Sequence, residues 1–141
     1  MSPKFHAAQG AVGAAVLYPW LGPQALVFGL SVVLIDLDHL IPYVRDCKSL
    51  SVSRFFRYHA ATPEIPGYLA LAWFHTIEFF GLLLALGFLN QVFWVILGAC
   101  LFHLAFDVLK AVRMGKPFLR AFSFTEYYLR RKNKVTRHHV P

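Results

Sequence analysis

Four of the seven acidic residues in this chain, Asp36, Asp38, Glu78 and Asp107, lie within or at the edge of stretches otherwise built from Leu, Val, Phe, Ala and Trp. One Asp at mid-membrane depth costs about 3 kcal/mol on insertion scales, so several together require partners or a wet cavity. Each of the four has a histidine close by. The sets read Asp36-Leu37-Asp38-His39, His75-Thr76-Ile77-Glu78 and His103-Leu104-Ala105-Phe106-Asp107. Carboxylate with imidazole is the usual donor combination for zinc and similar divalent metals.

The surroundings of these sets indicate a membrane protein. The chain of 141 residues is 57% hydrophobic and 15% charged, with a mean hydropathy of +0.52, too apolar for an ordinary soluble domain of this size. Four apolar segments are marked, roughly His6 to Trp20, Gln24 to Val44, Pro66 to Leu89 and Gln91 to Val112. About 20 helical residues cross a ~30 Å hydrocarbon core, so the first segment is short and the other three are long enough. It lacks a small-x-small site closing a strongly apolar run, which argues against a cleaved signal peptide. The expectation is an all-α polytopic bundle of about four transmembrane helices.

The 14 Lys and Arg avoid the apolar segments. Lys4 precedes the first; Arg45, Lys48, Arg54 and Arg57 lie between the second and third; the rest run from Lys110 to Arg137. With four crossings all of them fall on one side, the cytoplasmic side by the positive-inside rule. Both termini are then cytoplasmic and the protein is multi-pass in the inner membrane. Residues 1–112 form the membrane helical domain with the metal site, and residues 113–141 a basic amphipathic cytoplasmic tail. In that tail Phe118, Phe122, Phe124, Tyr127 and Tyr128 interleave with basic residues, a composition suited to membrane lipid. A solvated tail that serves only orientation fits equally well. No recognised nucleic-acid module accompanies the charge, so no specific nucleic-acid partner is expected. Cys47 and Cys100 read as free thiols.

Spacing brings the acid and the histidine of each set together. Residues three and four apart share a helix face, as do Asp36 with His39, His75 with Glu78, and His103 with Asp107. Asp38 shares the face of Asp36 only if the helix ends or loosens there, which Pro42 promotes. On this topology, with His75 about 13 Å into a helix that starts at Pro66, every set lies in the cytoplasmic half. Each has a purely structural alternative: His6 or His59 singly as a hydrogen-bonded core histidine, His103 with Asp107 as an ion pair, Asp36 to His39 as a cap.

Four elements carry a family resemblance over roughly residues 6–110: His6 before an Ala/Gly-rich apolar run, Asp36-Leu37-Asp38-His39 followed by Pro42, the His75-Thr76 step, and His103-x-x-x-Asp107. In these the chain resembles a family of small prokaryotic inner-membrane proteins described as metal-dependent hydrolases. That family is similar in motif to the all-helical zinc-dependent phospholipase C and single-strand nuclease superfamily, whose His-x-x-x-Asp/Glu pairs hold a zinc cluster. The chain departs from the family pattern at Ala72-Trp73-Phe74-His75-Thr76, where a His-Arg-Gly run before Thr-His-Ser is usual.

Together the residues and the resemblance imply a metal-dependent hydrolase of a phosphoester, a lipid phosphoester by location. The ligands are drawn from His39, His75, His103 and Asp107, then His6 and Asp36, with zinc as the implied metal. Asp38 and Glu78 are the candidates for general base, and each is also a candidate further ligand or orienting partner. The competing reading is a non-enzymatic metal or proton path. Against it, Leu82 to Leu89 and Phe93 to Ala99 offer almost no polar groups toward the far side. A scaffold whose acid-histidine sets only lock helices together is the third reading.

Overall fold

Glycine decides how the first two helices meet. In the computed structural model, which describes residues 3–61, 69–118 and 120–137, helix α1 (Pro3–Leu21) turns back at Gly22 into helix α2 (Gln24–Leu34). Gly22 has φ +54°, the left-handed conformation that ends helices, and its N–H donates to Tyr18 O at 2.9 Å. A methyl group on Gly10 would sit 2.5 Å from the Gly29 carbonyl oxygen, so the two backbones touch. Small residues at such a crossing are how apolar helices pack without a hydrophobic driving force. The contact brings the N-terminal turn of α1, with His6, alongside the C-terminal end of α2.

From Leu34 the chain does not continue as a regular α-helix. Ile35–His39 is a turn of 3-10 helix, followed by α3 (Leu40–Cys47). Pro42 supplies the cause, since its ring crowds the carbonyl four residues back, that of Asp38. The tighter winding places Asp36 and Asp38 on neighbouring sides of one site rather than on opposite faces of a cylinder. After α4 (Val52–Ala61) the description resumes at Leu69. A two-residue strand, β1 (Ala70–Leu71), leads into a single 3-10 turn, Trp73–His75.

Helix α5 (Ile77–Gly87) starts where Thr76 caps it, Oγ1 accepting from Phe79 N–H at 3.3 Å. Helix α6 (Val92–Arg113) returns antiparallel, with Trp94 filling the space a side chain at Gly87 would need. Ile35, Leu83, Leu97 and Cys100 form the buried core between these elements, and Phe28, Val32 and Ala99 a second cluster between α2 and α6.

The third apolar segment differs from expectation. Its helix begins at Ile77, so His75 precedes the helix rather than lying 13 Å along it, and His75 and Glu78 do not share a helical face. Helix α5 has 11 residues, about 16 Å of rise, roughly half a hydrocarbon core. Residues 62–68, where a helix from Pro66 would begin, lie outside the described residues.

By length and composition two helical stretches can cross a membrane, Gln24–Cys47 and Val92–Arg113. Only 33% and 28% of their most apolar windows are buried, unlike the core helices of a soluble protein. The molecule is inverted in polarity: Leu26, Leu30, Leu82 and Leu101 are exposed while His6, Asp38, His75 and His103 are buried. An apolar exterior on this scale marks an interaction with lipid or protein.

The C-terminal segment folds back on the third segment. Strand β2 (Arg120–Ala121) pairs in parallel with β1, Ala70 opposite Arg120, and Ile77 N–H donates to Phe122 O at 2.8 Å. Helix α7 (Phe124–Arg137) opens with a reciprocal cap. Ser123 Oγ accepts from Glu126 N–H at 2.9 Å, and Glu126 Oε2 accepts from Phe122 N–H at 2.8 Å.

Candidate metal centre

Asp36 is the hub on which four histidines converge. Its Oδ1 lies 3.3 Å from His103 Nε2, 3.4 Å from His39 Nε2 and 3.7 Å from His75 Nε2, and its Oδ2 lies 3.5 Å from His6 Nε2. Asp107 closes the set, with Oδ2 3.4 Å from His103 Nε2 and Oδ1 3.8 Å from His6 Nε2. The His6 and His103 rings stack at 4.2 Å. Helices α1 and α6, the 3-10 turn and the loop before α5 each contribute. Donor atoms of Asp36, His75, His103 and Asp107 all lie within 4.8 Å of one another, close enough to hold one ion.

The opposite ring nitrogens fix the orientation. His103 Nδ1–H donates to Val32 O at 2.8 Å, His75 Nδ1–H to Asp38 Oδ2 at 3.2 Å and His6 Nδ1–H to Gln9 Oε1 at 3.2 Å. Each of these acceptors places a proton on Nδ1 and turns Nε2 toward the carboxylates, the orientation of a metal-ligating histidine. The Nε2 atoms of His6, His75 and His103 are buried and make no hydrogen bond among the described residues. They face carboxylate oxygens at 3.3–3.7 Å. A cation between them, a proton or a metal ion, balances the carboxylate charge. Two donors each ~2.0–2.1 Å from one tetrahedral ion are about 3.3–3.4 Å apart, so the spacing fits a small divalent metal such as zinc.

A second group, Asp38 with His39 and His75, has its donor atoms within the same 4.8 Å limit. Here the Asp38–His75 contact is itself a hydrogen bond, and Asp38 Oδ2 also accepts from Phe74 N–H at 2.7 Å. Its geometry is that of an orienting carboxylate rather than a second ion site. Asp38 Oδ1 is buried without a partner, 4.0 Å from His39 Nδ1. Glu78 stands apart: it is exposed, belongs to neither group, and accepts from Phe124 N–H at 3.1 Å. His59, on α4, has its ring 4.8 Å from that of His39. Burial, then the neighbouring His39, pushes the His59 imidazole down to about 4, so it is neutral at pH 7.

Two residues of the site carry no signal of an acid-histidine set. Gln9, buried one turn from His6, orients that ring; a polar amide inside an apolar run was the available clue. Arg120 donates from Nη2 to Asp107 Oδ2 at 2.9 Å. In the sequence it is one of many basic residues after Lys110, and only the strand pairing reveals its placement. Comparison of the chain with protein-family models, curated proteins and solved structures finds no match.

Proposed function

We infer that this protein is a membrane-embedded, metal-dependent hydrolase of a phosphoester, with the site opening toward the cytoplasmic leaflet. The observation that carries the metal is the convergence on Asp36 and Asp107 of buried Nε2 atoms that make no hydrogen bond. His6, Asp36, His39, His75, His103 and Asp107 are the residues that would hold it. A divalent ion bound there supplies Lewis acidity toward a phosphoryl oxygen and makes a water molecule more acidic. Asp38, held in place through Oδ2, has Oδ1 left to accept a proton. The Asp36 side chain, 26% exposed, marks the open side of an otherwise buried set.

Location supports a lipid phosphoester. A cavity of about 140 Å3 lies beside the loop that carries His75, lined by Leu34, Ile35, Phe74, Phe79 and Ile96 among others. It offers an apolar slot next to the polar site, the pairing an amphiphilic substrate needs. The transport reading lacks such support, because α5 beyond Phe80 and the first turns of α6 offer almost no polar side chains.

The enzymatic reading is tested on full-length protein purified in maltoside, with phosphomonoesters, phosphodiesters and phospholipids as substrates. We expect turnover of at least one class, abolished by chelator and restored by zinc. Chelator-insensitive or absent turnover across the panel, with metal still bound, replaces this reading by the non-enzymatic metal-binding one.

For topology, both termini and the segment 44–64 are expected at the cytoplasmic face. A cysteine at Leu50, 85% exposed, should react with an impermeant maleimide only after permeabilisation. Labelling in intact cells would overturn the four-crossing arrangement.

A further inference from the structure

Arg120 holds a donor that no described residue uses. Its Nη2 is committed to Asp107 Oδ2 at 2.9 Å, while Nη1 is buried and makes no hydrogen bond. A guanidinium presents its donors in a rigid planar fork, so fixing one arm fixes the other. Asp107 Oδ2 in turn lies 3.4 Å from His103 Nε2. The guanidinium is therefore anchored on a carboxylate that itself contacts the histidine cluster.

The placement of the arginine is built. Arg120 lies in β2, whose pairing with β1 sets it opposite Ala70, five residues before His75. Its carbonyl accepts from Arg130 Nη1 at 3.3 Å, and Arg130 Nη1 also donates to Glu126 Oε1 at 2.8 Å. Ile77 N–H on Phe122 O and Phe124 N–H on Glu78 Oε1 clamp the strand on its other side. Trp73 packs edge-on against Phe124 at 5.6 Å. A side chain whose only role was to neutralise Asp107 would need one hydrogen bond and would leave its remaining donors in water. Burying a charged N–H without a partner is costly, and the cost is recovered when an acceptor arrives.

We propose that Arg120 is the oxyanion-binding residue of this site: with Nη2 anchored on Asp107, its free Nη1 takes a non-bridging oxygen of a phosphate group held against the histidine cluster. The assignment rests on the metal-dependent phosphoester reading and adds the group that recognises the substrate. Charge agrees, because Arg120 brings a cation to a cluster whose two hub side chains are carboxylates. Arginine is the residue suited to planar recognition of phosphate, and it cannot lose its proton. The recognised chemistry is a phosphate with at least one free non-bridging oxygen, whether free phosphate or a lipid headgroup.

The test reads binding rather than turnover. Zinc-loaded full-length protein in maltoside is titrated calorimetrically with inorganic phosphate, and separately, in nanodiscs of phosphatidylcholine, with and without phosphatidic acid. Wild type should bind phosphate. Arg120→Met should keep its zinc and lose roughly 10- to 100-fold in phosphate affinity, the range for one charge-assisted hydrogen bond. Arg120→Lys keeps the charge but not the fork, and should fold with intact helicity and lose about 10-fold. If Arg120→Met does not fold, Arg120→Lys decides.

Competition by phosphatidic acid but not by phosphatidylcholine alone assigns the site to a lipid phosphomonoester; competition by neither assigns it to a soluble phosphate. Wild-type protein without phosphate binding at millimolar concentration overturns the proposal, as does unchanged affinity in the variant that folds. Zinc lost from Arg120→Met with phosphate affinity unchanged after reloading assigns Arg120 to Asp107 alone and also overturns it. Phosphate binding that depends on Arg120 without any turnover keeps this proposal and rejects the hydrolase. Turnover that survives Arg120→Met at wild-type KM does the reverse.

Discussion

Replacing Asp36 by alanine is expected to empty the site. One carboxylate contacts all four histidines, so its loss removes a ligand and the common point on which the others converge. Zinc affinity should fall by on the order of 100-fold or more, above the 10–100-fold range typical of losing an orienting partner. Zinc at about 100 times its dissociation constant should stabilise wild type by about 2.7 kcal/mol, and this increment should vanish in Asp36→Ala. Thermal unfolding with and without zinc measures the increment. Equal zinc content in the two proteins by elemental analysis, or an increment that persists in Asp36→Ala, would favour helix locking instead.

Asp38→Asn tests the layer behind the ligands. Asp38 Oδ2 receives both Phe74 N–H and His75 Nδ1–H, so it sets the tautomer of His75 and the path of the turn that carries it. An amide preserves shape and can keep its one oxygen on both N–H groups, but it loses the negative charge that raises the basicity of the ring it orients. Zinc affinity should drop about 10- to 100-fold. Glu78→Gln is the contrast, because Glu78 is exposed and bonded to the Phe124 backbone rather than to a histidine. That variant should retain zinc within about twofold, the margin expected of a surface substitution. Competition with a chromogenic chelator measures both. Equal zinc affinity for Asp38→Asn and wild type would remove Asp38 from the support of the site.

Much of this site was legible in the sequence because charge inside long apolar runs is rare enough to be informative. Asp36 with His39 and His103 with Asp107 could be paired by spacing, and Asp38 joined them only because Pro42 suggested that the regular helix ends there, as it does. The helical character of the chain was legible for the same reason, since long apolar runs leave the backbone few alternatives. The start of α5 was not. The apolar segment is marked from Pro66, but Thr76 caps a helix ten residues later and residues 70–71 before it pair with a strand 50 positions on. Long-range parallel pairing leaves no local periodicity to read. Arg120 was hidden by its neighbours, one cation among a basic segment whose composition alone suggested the membrane surface. The structure orders this segment through the Ser123 and Glu126 side chains at the start of α7.

The parallel ladder between residues 70–71 and 120–121 has a consequence for how the protein is made. Every candidate ligand lies at or before Asp107, so a nascent chain possesses the complete imidazole and carboxylate set before the ribosome reaches Arg120. The guanidinium, and the strand that delivers it, come late in translation. Synthesis thus supplies the acid and histidine side chains first, and the guanidinium that bonds Asp107 is added only after them.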